Sequence, residues 1–429
     1  MDAANVAAAV DADRLWADIE ANGRFGATDD EGHGRTAPTG SEANRRARDR
    51  LVAELEAAGC TVRVDAVGNV AGRWTPSGVD PETPAVAAGS HLDSVPSGGI
   101  FDGPLGVYAA LEAVRAMREA DVTPKRPVEV VSFTEEEGAT FADGLLGSSV
   151  AAGERSVEAA LTLRDAEGRS LAAALEDTGY RGEGRLDAAD WDAWLELHIE
   201  QHTELEEAGV PAGIVGDITG ITHLAVEIDG EANHAGSTPM AGRRDALAAA
   251  SEVVLDIEQA ARELSGAGGN EPTDPAAVAT VGSQAVAPNA TNVIPGHVEL
   301  GVDIRSTTYA SMETLVDDIR ASLARVERER GVETSLERGF DLAPTPMAER
   351  CRQALRRGGE RAGVETLELH SGAAHDSMYV AQVTDAGLLF APSEDGLSHT
   401  PAEWTDPADC AAATRVFAAA VAELAGDGL

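Results

Sequence analysis

The chain has 429 residues, more than one hydrophobic core usually organises, so its length predicts two domains. Asp and Glu number 74 against 33 Lys and Arg, and the formal net charge is −41. Because a field of that sign repels phosphate backbones and anionic membrane surfaces, nucleic acid and lipid headgroups are poor candidate partners.

The charged residues are scattered along the chain, and 43% of all residues are hydrophobic, which predicts a folded protein with a heavily solvated surface. Lys125 is the only lysine. An acidic surface with almost no lysine resembles those of proteins from salt-loaded cytoplasms, where high ionic strength screens self-repulsion. We therefore hypothesise a halophilic protein.

Three cysteines, Cys60, Cys351 and Cys410, lie far apart and outside any CxxC spacing, which indicates neither a disulfide framework nor a thiolate zinc site. The N-terminal segment lacks the basic region and the uninterrupted apolar core of a signal peptide. No apolar run approaches membrane-spanning length. The sequence therefore predicts a cytoplasmic protein with no membrane partner.

Two helices are predicted first, over 11–24 and 41–58, with Ser41 as an N-cap and Gly59 as a stop. Another helix is predicted over 106–120. Short apolar runs that end in polar residues read as buried strands: PAVAAGSHLD, VEVVSFTEEEG, WLELHIEQ and GLLFAPSEDGLSHTP. The alternation of strands and helices predicts an α/β sheet with helices on both faces.

From about Ile221 the pattern changes to alternating strands, THLAVEIDG and HVELGVDIRS, with helices predicted near 243–264 and 309–330. This order predicts a smaller α+β domain inserted between two parts of the larger domain. We place the larger domain at 1–218 and 336–429, and the insert at 219–335.

The predicted strands carry imidazole and carboxylate groups at their carboxyl ends, where open α/β sheets place their ligands. His91 and Asp93 follow the first strand, and Asp102 lies in the glycine-rich loop after it. Because His91 and Asp93 are two residues apart on a strand, the Asp93 carboxylate is predicted to accept the second ring N–H of His91. A solvated loop with an incidental histidine explains this motif alone equally well.

The TEEEG run at 134–138 places three carboxylates after an apolar strand, where repulsion and partial burial are costly without a nearby cation. An isolated run of this kind is more often a solvated acidic turn. His198 lies in the next strand and His399 in LSHTP, and each histidine alone is more typical of a structural or exposed residue. Together these groups form a donor set that suits Zn²⁺, Co²⁺ or Mn²⁺ rather than Ca²⁺ or Mg²⁺.

Seven segments, in order, resemble the M20 family of metallopeptidases and amidohydrolases, within it the branch of N-carbamoyl-L-amino acid hydrolases, allantoate amidohydrolases and β-ureidopropionases. They are GSHLDSVPSGGIFDGPLGV, EEEGATF, ELHIEQ, NHAGSTPMAGRRDAL, PNATNVIPG, SGAAHDS and PSEDGLSHTPAEW. The resemblance runs from about residue 12 to 423, and His198 separates the branch from many peptidase relatives, which carry a carboxylate there. It implies an α/β catalytic domain with an inserted α+β lid that forms a homodimer.

The resemblance also implies two divalent metal ions per subunit, with Zn²⁺ as the first choice and Mn²⁺, Co²⁺ or Ni²⁺ as alternatives. One ion would be held by His91, Asp102 and His198. The other would be held by Asp102, Glu137 and His399, so that Asp102 bridges the pair.

Further roles follow from the same resemblance. Glu136 matches the general base, and His234 matches a histidine that polarises the scissile carbonyl or stabilises its oxyanion. Arg305 and Asn292 match a pair that binds the substrate carboxylate. Further candidates for holding the substrate are Gln201, Ser371 and Gly372.

The sequence therefore predicts a dinuclear amidohydrolase that cleaves the ureido C–N bond of N-carbamoyl-L-amino acids to amino acid, ammonia and carbon dioxide. Allantoate amidohydrolase or β-ureidopropionase is the nearest alternative, and an M20 dipeptidase or a noncatalytic binding protein is more remote. Two departures from the branch leave the substrate's side chain open: His202 replaces the glycine after HIEQ, and Ala374 replaces a glycine of SGAGHD. A bulkier side chain beside Gln201 is expected to reshape the pocket.

Overall fold

The computed structural model describes residues 3–30, 32–142, 144–267, 269 and 272–426. The chain forms two compact units, Met1–Gly216 with Pro346–Leu429, and Asp217–Thr345. The sequence placed the second domain boundary after residue 335. That position lies inside the strand Glu333–Leu342, which pairs within the smaller unit's sheet, so the smaller unit continues to Thr345.

The elements up to residue 218 are α1 (Ala3–Ala9), α2 (Ala12–Gly23), α3 (Glu42–Ala57), β1 (Thr61–Val64), β2 (Val70–Trp74), β3 (Val86–His91), α4 (Pro104–Glu119), β4 (Val128–Phe133), α5 (Leu146–Ala151), α6 (Val157–Thr162), α7 (Leu171–Thr178), a 3₁₀ helix (Ala188–Asp190), β5 (Ala193–Ile199), α8 (Glu204–Ala208) and β6 (Gly213–Ile218). They are followed by β7 (Gly220–Asp229), β8 (Asn233–His234), α9 (Ala246–Ser265), β9 (Val278–Ala287), β10 (Val293–Ile294), β11 (His297–Ser306), α10 (Tyr309–Arg330) and β12 (Glu333–Leu342). The last elements are β13 (Thr345–Pro346), α11 (Glu349–Ala362), β14 (Leu367–Ser371), α12 (Ser377–Val380), β15 (Ala386–Ala391), a 3₁₀ helix (Glu394–Gly396) and α13 (Pro407–Gly426).

The helices α2 and α3 correspond to the first two predicted helices. Asp11 caps α2 by accepting a hydrogen bond from the Arg14 N–H, and Ser41 caps α3 by accepting one from the Asn44 N–H. Gly59, just beyond α3, has φ 80°, which a glycine adopts at little cost. Local capping chemistry therefore sets the ends of these helices.

The larger unit is organised by a sheet in the order β1-β2-β4-β3-β5-β15-β6, with β13 and β14 also paired to β6. The neighbours β4, β3, β5 and β15 are parallel. Every residue of these four strands is buried, which explains their uninterrupted apolar runs. Because parallel strands share one direction, their carboxyl ends meet at one edge of the sheet.

The smaller unit has an antiparallel sheet in the order β12-β7-β11-β9. Side chains on one face, among them Leu224, Val226 and Ile304, form a core with residues of α9 and α10. The alternate positions of β7 are exposed, as expected of a sheet with one covered face. The predicted strands THLAVEIDG and HVELGVDIRS correspond to β7 and β11, whereas β12 was not predicted.

Cys60, Cys351 and Cys410 are free, buried thiols. Burial raises the pKa of Cys60 to about 11 and that of Cys351 to about 12, so few thiolates form at neutral pH. Within the described ranges, no helix combines the length and the apolar character needed to cross a membrane.

Candidate metal centre

Five side chains meet where the four parallel strands end. His91 is the last residue of β3 and His198 lies near the end of β5, while Glu137 follows β4 and His399 follows β15. Asp102 lies in the loop between β3 and α4. Donor atoms of His91, Asp102 and His198 lie within 4.8 Å of one another, and so do donor atoms of Asp102, Glu137 and His399. The structure thus brings the predicted ligands together as two groups that share Asp102.

The two carboxylate oxygens of Asp102 face different groups. Oδ1 lies 3.4 Å from His91 Nε2 and 3.2 Å from His198 Nε2. Oδ2 lies 3.5 Å from His399 Nε2, which is also 3.0 Å from Glu137 Oε2. One oxygen toward each group is the arrangement that a bridging ligand requires.

Main-chain carbonyls orient the two buried imidazoles. His91 Nδ1 lies 3.2 Å from Asp93 O, and His198 Nδ1 lies 2.9 Å from Ile199 O. Because a carbonyl only accepts, the neutral rings carry their proton on Nδ1 and keep a lone pair on Nε2. His91 Nε2 is buried and has no hydrogen-bond partner among the described residues. A divalent cation beside Asp102 would satisfy this nitrogen, so the donor set fits a metal.

Burial and neighbouring charges raise the pKa values of three groups at the centre, His91, Glu136 and His399. Burial disfavours the charged form of His91, but neighbouring carboxylates led by Glu136 outweigh it and raise the pKa of His91 well above its usual value. Burial, reinforced by Asp376, raises the pKa of Glu136. Hydrogen bonds to Asp102 and Glu137 raise the pKa of His399 to about 11. The clustered carboxylates favour a positive charge beside them. A divalent cation would provide that charge while the imidazoles stay neutral.

Asp93 contacts the His91 ring as predicted, but through its main-chain oxygen and not through its carboxylate. Its Oδ1 is 3.8 Å from His91 Nδ1, whereas its main-chain oxygen, at 3.2 Å, takes the ring N–H. The Asp93 carboxylate instead accepts a hydrogen bond from the Glu137 N–H over 3.2 Å. The predicted contact between the Asp93 carboxylate and the His91 ring is therefore wrong. Strand β3 ends at His91, so the alternation of strand faces no longer applies at Asp93.

Strained backbone conformations cluster beside the two donor groups. Glu135, Gln201 and His399 have φ of 57°, 58° and 57°, in the left-handed region that side chains other than glycine rarely adopt. Glu136 follows the first of these residues, and its Oε2 lies 3.5 Å from His91 Nε2. The acidic run therefore turns sharply after β4 and places the Glu136 carboxylate beside His91.

Gln201, predicted to hold substrate, has partners within the protein. Its Nε2 donates to Asp102 Oδ2 over 2.9 Å and to Ser398 Oγ over 3.0 Å. The neighbouring His202 has a side chain that is 75% exposed, so it extends into solvent. The Gln201 amide therefore contacts Asp102, and its contact with substrate stays a prediction.

Ser371 and Gly372, the other candidates for holding substrate, lie at and just after the end of β14. Ser371 Oγ donates to the main-chain oxygen of Ala373 over 2.8 Å and lies 3.1 Å from His375 Nε2. Gly372 is exposed, and Ala374 is half-buried. The Ser371 hydroxyl is therefore engaged by its own loop.

Besides Ser398, the residues that contact the donor groups and were assigned no role from the sequence include His375 and Glu403. The ring of His375 lies edge-on to that of His198, with centroids 4.5 Å apart. Glu403 is fully buried and accepts hydrogen bonds from the Phe101 and Asp102 N–H groups. His375 lies in the segment SGAAHDS and Glu403 in PSEDGLSHTPAEW, so the family resemblance was the sequence signal that could have identified them.

His234 and Asn292 belong to the smaller unit and are neighbours there. β8, which contains His234, pairs with β10, and the Ala235 N–H donates to Asn292 O over 2.9 Å. His234 Nδ1 accepts hydrogen bonds from the N–H groups of Gly236 and Ser237 over 3.1 and 3.0 Å. The neutral ring therefore carries its proton on Nε2, which makes the exposed side of the imidazole a donor.

Arg305 lies on β11 of the same unit. Its Nε donates to Asp303 Oδ1 over 3.0 Å, and its Nη2 lies 3.4 Å from Asp303 Oδ2. His223 Nε2 is 3.0 Å from that same Oδ2. Asp303 orients the guanidinium along the strand, and 33% of the arginine side chain is exposed.

The sequence profile of peptidase family M20/M25/M40 matches residues 87–423. The N-carbamoyl-L-amino acid amidohydrolase of Geobacillus stearothermophilus is 40% identical over 420 residues, which cover 97% of this chain and 99% of that protein. The allantoate amidohydrolase of Bacillus subtilis (strain 168) is 36% identical over 355 residues, which cover 82% and 83%. The crystal structure of an amidase of the hydantoinase/carbamoylase family from Burkholderia multivorans matches with a TM-score of 0.89 at 35% identity, covering 98% of this chain and 99% of that one.

The matches to the Geobacillus and Burkholderia proteins extend over nearly the whole chain, and together with the family profile they confirm the predicted fold class, hydrolase class and family. The donor groups around Asp102 are compatible with divalent metal binding. On these grounds the chain belongs to the M20/M25/M40 peptidase family.

Proposed function

We propose that the protein is a dinuclear amidohydrolase that cleaves the ureido C–N bond of N-carbamoyl-L-amino acids. The observation that carries this proposal is the pair of donor groups sharing Asp102, with Glu136 beside them. The 40% identity to an N-carbamoyl-L-amino acid amidohydrolase supports the substrate class. We propose Zn²⁺ as the metal, with Mn²⁺, Co²⁺ and Ni²⁺ as alternatives, because the donors are imidazole nitrogens and carboxylate oxygens.

Divalent ions held by these residues would polarise the ureido carbonyl and lower the pKa of a water molecule. Glu136 accepts the proton of that water as its oxygen bonds to the ureido carbon. Glu136 then returns the proton to the nitrogen of the amino acid, and the bond between that nitrogen and the ureido carbon breaks. The free amino acid leaves, and the carbamate decomposes to ammonia and carbon dioxide.

We assign the remaining substrate contacts to the smaller unit. His234 donates its Nε2–H to the developing oxyanion, a role supported by the two hydrogen bonds that hold its Nδ1 as an acceptor. Arg305 and Asn292 bind the α-carboxylate of the substrate. In a protein with a net charge of −41, a fixed guanidinium provides local attraction for an anionic substrate.

Arg305→Lys is expected to raise KM for N-carbamoyl-L-amino acids about 10-fold or more, because lysine keeps the charge but loses the planar fork, and a charge-assisted hydrogen bond contributes about 1.5–3 kcal/mol. Steady-state kinetics should show the change mainly in KM. Arg338→Lys, in β12 of the same unit, is the matched control and should behave like the wild type. An unchanged KM in the Arg305 variant would contradict the assignment.

The nearest alternative is allantoate hydrolysis, favoured by the 36% identity to an allantoate amidohydrolase. β-Ureidopropionase and dipeptidase activities are further alternatives. Product release from N-carbamoyl-L-amino acids, N-carbamoyl-β-alanine, allantoate and a dipeptide separates them. We expect the N-carbamoyl-L-α-amino acids to have the highest kcat/KM. A higher value for allantoate would reassign the substrate, and no turnover by metal-loaded protein would indicate a binding protein.

We propose that the smaller unit forms a homodimer. Its sheet has two edge strands, of which β12 carries four charged residues and β9 (VATVGSQAVA) carries none. Charged residues on an edge strand disfavour its pairing with a strand of another molecule, so β9 is the edge strand suited to pairing. Leu255 of α9 is 63% exposed and adds apolar surface.

Sedimentation equilibrium should give twice the chain mass, and Leu255→Glu should shift the protein toward monomer. A monomeric wild type would contradict the dimer.

We also propose a cytoplasmic protein adapted to high salt. The buried free thiols suit a reducing compartment, and the net charge of −41 requires screening. Because the Debye length falls from about 10 Å at 0.1 M to about 3 Å at 1 M salt, the free energy of unfolding should rise with KCl. Thermal unfolding in a KCl series, with sucrose as the uncharged control, measures this effect. Undiminished stability in dilute buffer would contradict salt adaptation.

A further inference from the structure

We propose that Ser398, Gln201 and Glu403 form a positioning frame that fixes the plane of the Asp102 carboxylate, so that one oxygen faces each donor group. The inference rests on the proposed metal centre and goes beyond its ligands. The frame contacts Asp102 at both its side chain and its main chain.

Ser398 and Gln201 bind the same oxygen of Asp102. Ser398 Oγ donates to Asp102 Oδ2 over 2.8 Å, and Gln201 Nε2 donates to it over 2.9 Å. The torsion that turns an aspartate carboxylate is broad, so the plane rotates easily unless neighbours hold it. Two donors on Oδ2 hold the plane and leave Oδ1 directed at His91 and His198.

Glu403 contacts the main chain of Asp102 through one carboxylate oxygen and lies beside Ser398 with the other. Its Oε1 accepts hydrogen bonds from the N–H groups of Phe101 and Asp102 over 3.0 and 3.1 Å. Its Oε2 lies 3.2 Å from Ser398 Oγ. Hydrogen bonds from two N–H groups to one carboxylate are strong, so this buried side chain fixes the backbone of Asp102.

Two glycines make room for this close approach. A Cβ on Gly99 would collide with the Glu403 carboxylate, and a Cβ on Gly103 would press against the ring of His91. Gly103 also has φ 81°, which an L side chain rarely adopts. The glycine-rich loop therefore has a shape that admits Glu403 on one side of Asp102 and His91 on the other.

The segment that carries Ser398 and Glu403 is also held by packing that does not involve the Ser398 hydroxyl. The ring of Trp404 lies 5.4 Å from that of Phe101 and 5.6 Å from that of Trp16. Because these aromatic contacts remain when the hydroxyl is removed, Ser398→Ala should leave the segment in place. The hydroxyl can thus be tested apart from the fold.

The test measures metal affinity in the full chain, without turnover. Ser398→Ala should weaken Zn²⁺ and Co²⁺ binding about 10–100-fold in competition with a chromophoric chelator, the usual cost of losing an outer hydrogen-bond partner. The visible spectrum of the Co²⁺-loaded variant should also change, because the geometry around the ions changes. Ser398→Thr, which keeps the hydroxyl, should restore both properties.

Ser149→Ala is the matched control, because Ser149 is buried and donates to the main-chain oxygen of Leu146. It should bind metal like the wild type. Gln201→Met removes the second donor to the same oxygen and tests the frame if Ser398→Ala fails to fold. Wild-type affinity and an unchanged Co²⁺ spectrum in either variant would overturn the proposal. A failure of the proposed substrate class would leave these measurements unaffected.

Discussion

Glu136→Gln is expected to lower kcat about 10²–10⁴-fold, the usual contribution of a positioned proton-transfer group. The amide keeps the size of the side chain but cannot accept the proton of water or return it to the leaving nitrogen. Glu136 belongs to neither donor group, so metal content should be unchanged. Steady-state kinetics and elemental analysis of the same preparation measure both effects.

Glu135→Gln is the control for this substitution. Glu135 is buried next to Glu136, but its Oε1 accepts hydrogen bonds from the N–H groups of Thr140 and Phe141, which an amide oxygen can also accept. The control should retain most of the activity. Near-normal turnover in Glu136→Gln would assign the general base to another residue.

Asp102→Asn should abolish stable binding of both metal ions. Asp102 is the one residue common to the two donor groups, and the amide loses the negative charge and one of the two oxygen donors. The loss of affinity should exceed the about 10–100-fold that removal of an outer partner costs. Chelator competition and elemental analysis provide the measurement.

Glu137→Gln belongs to a single group and is the comparison for Asp102→Asn. It should retain one ion, bound by His91, Asp102 and His198. The two variants therefore differ in stoichiometry as well as in affinity. Retention of two ions by Asp102→Asn would show that Asp102 does not bridge the groups.

The sequence predicted the centre because strand ends and donor chemistry are both local features. His91 and His198 lie at the ends of apolar runs, and Glu137 follows another, so a parallel sheet must bring them to one edge. Asp102 and His399 lie in loops, and the division of the donor set into two groups that share Asp102 depended on the family resemblance. Capping residues such as Ser41 were equally local and were correctly predicted.

What the sequence did not show depends on contacts between distant segments or on single atoms. Glu403 binds the main chain of Asp102 across 301 residues, a pairing that no local pattern encodes. Asp93 was predicted to hold His91 through its carboxylate, but the turn after β3 presents its carbonyl instead. The boundary near residue 335 was wrong because β12 alternates exposed and half-buried positions and has no fully buried residue, so its sequence resembles a loop in an acidic chain.

Turnover of an N-carbamoyl-L-amino acid during stepwise addition of Zn²⁺ to chelator-treated protein tests the central claim most directly. A pair of ions sharing Asp102 predicts that activity returns with added metal and saturates at two equivalents per chain. Full turnover without added metal, or saturation at one equivalent, would contradict the dinuclear centre.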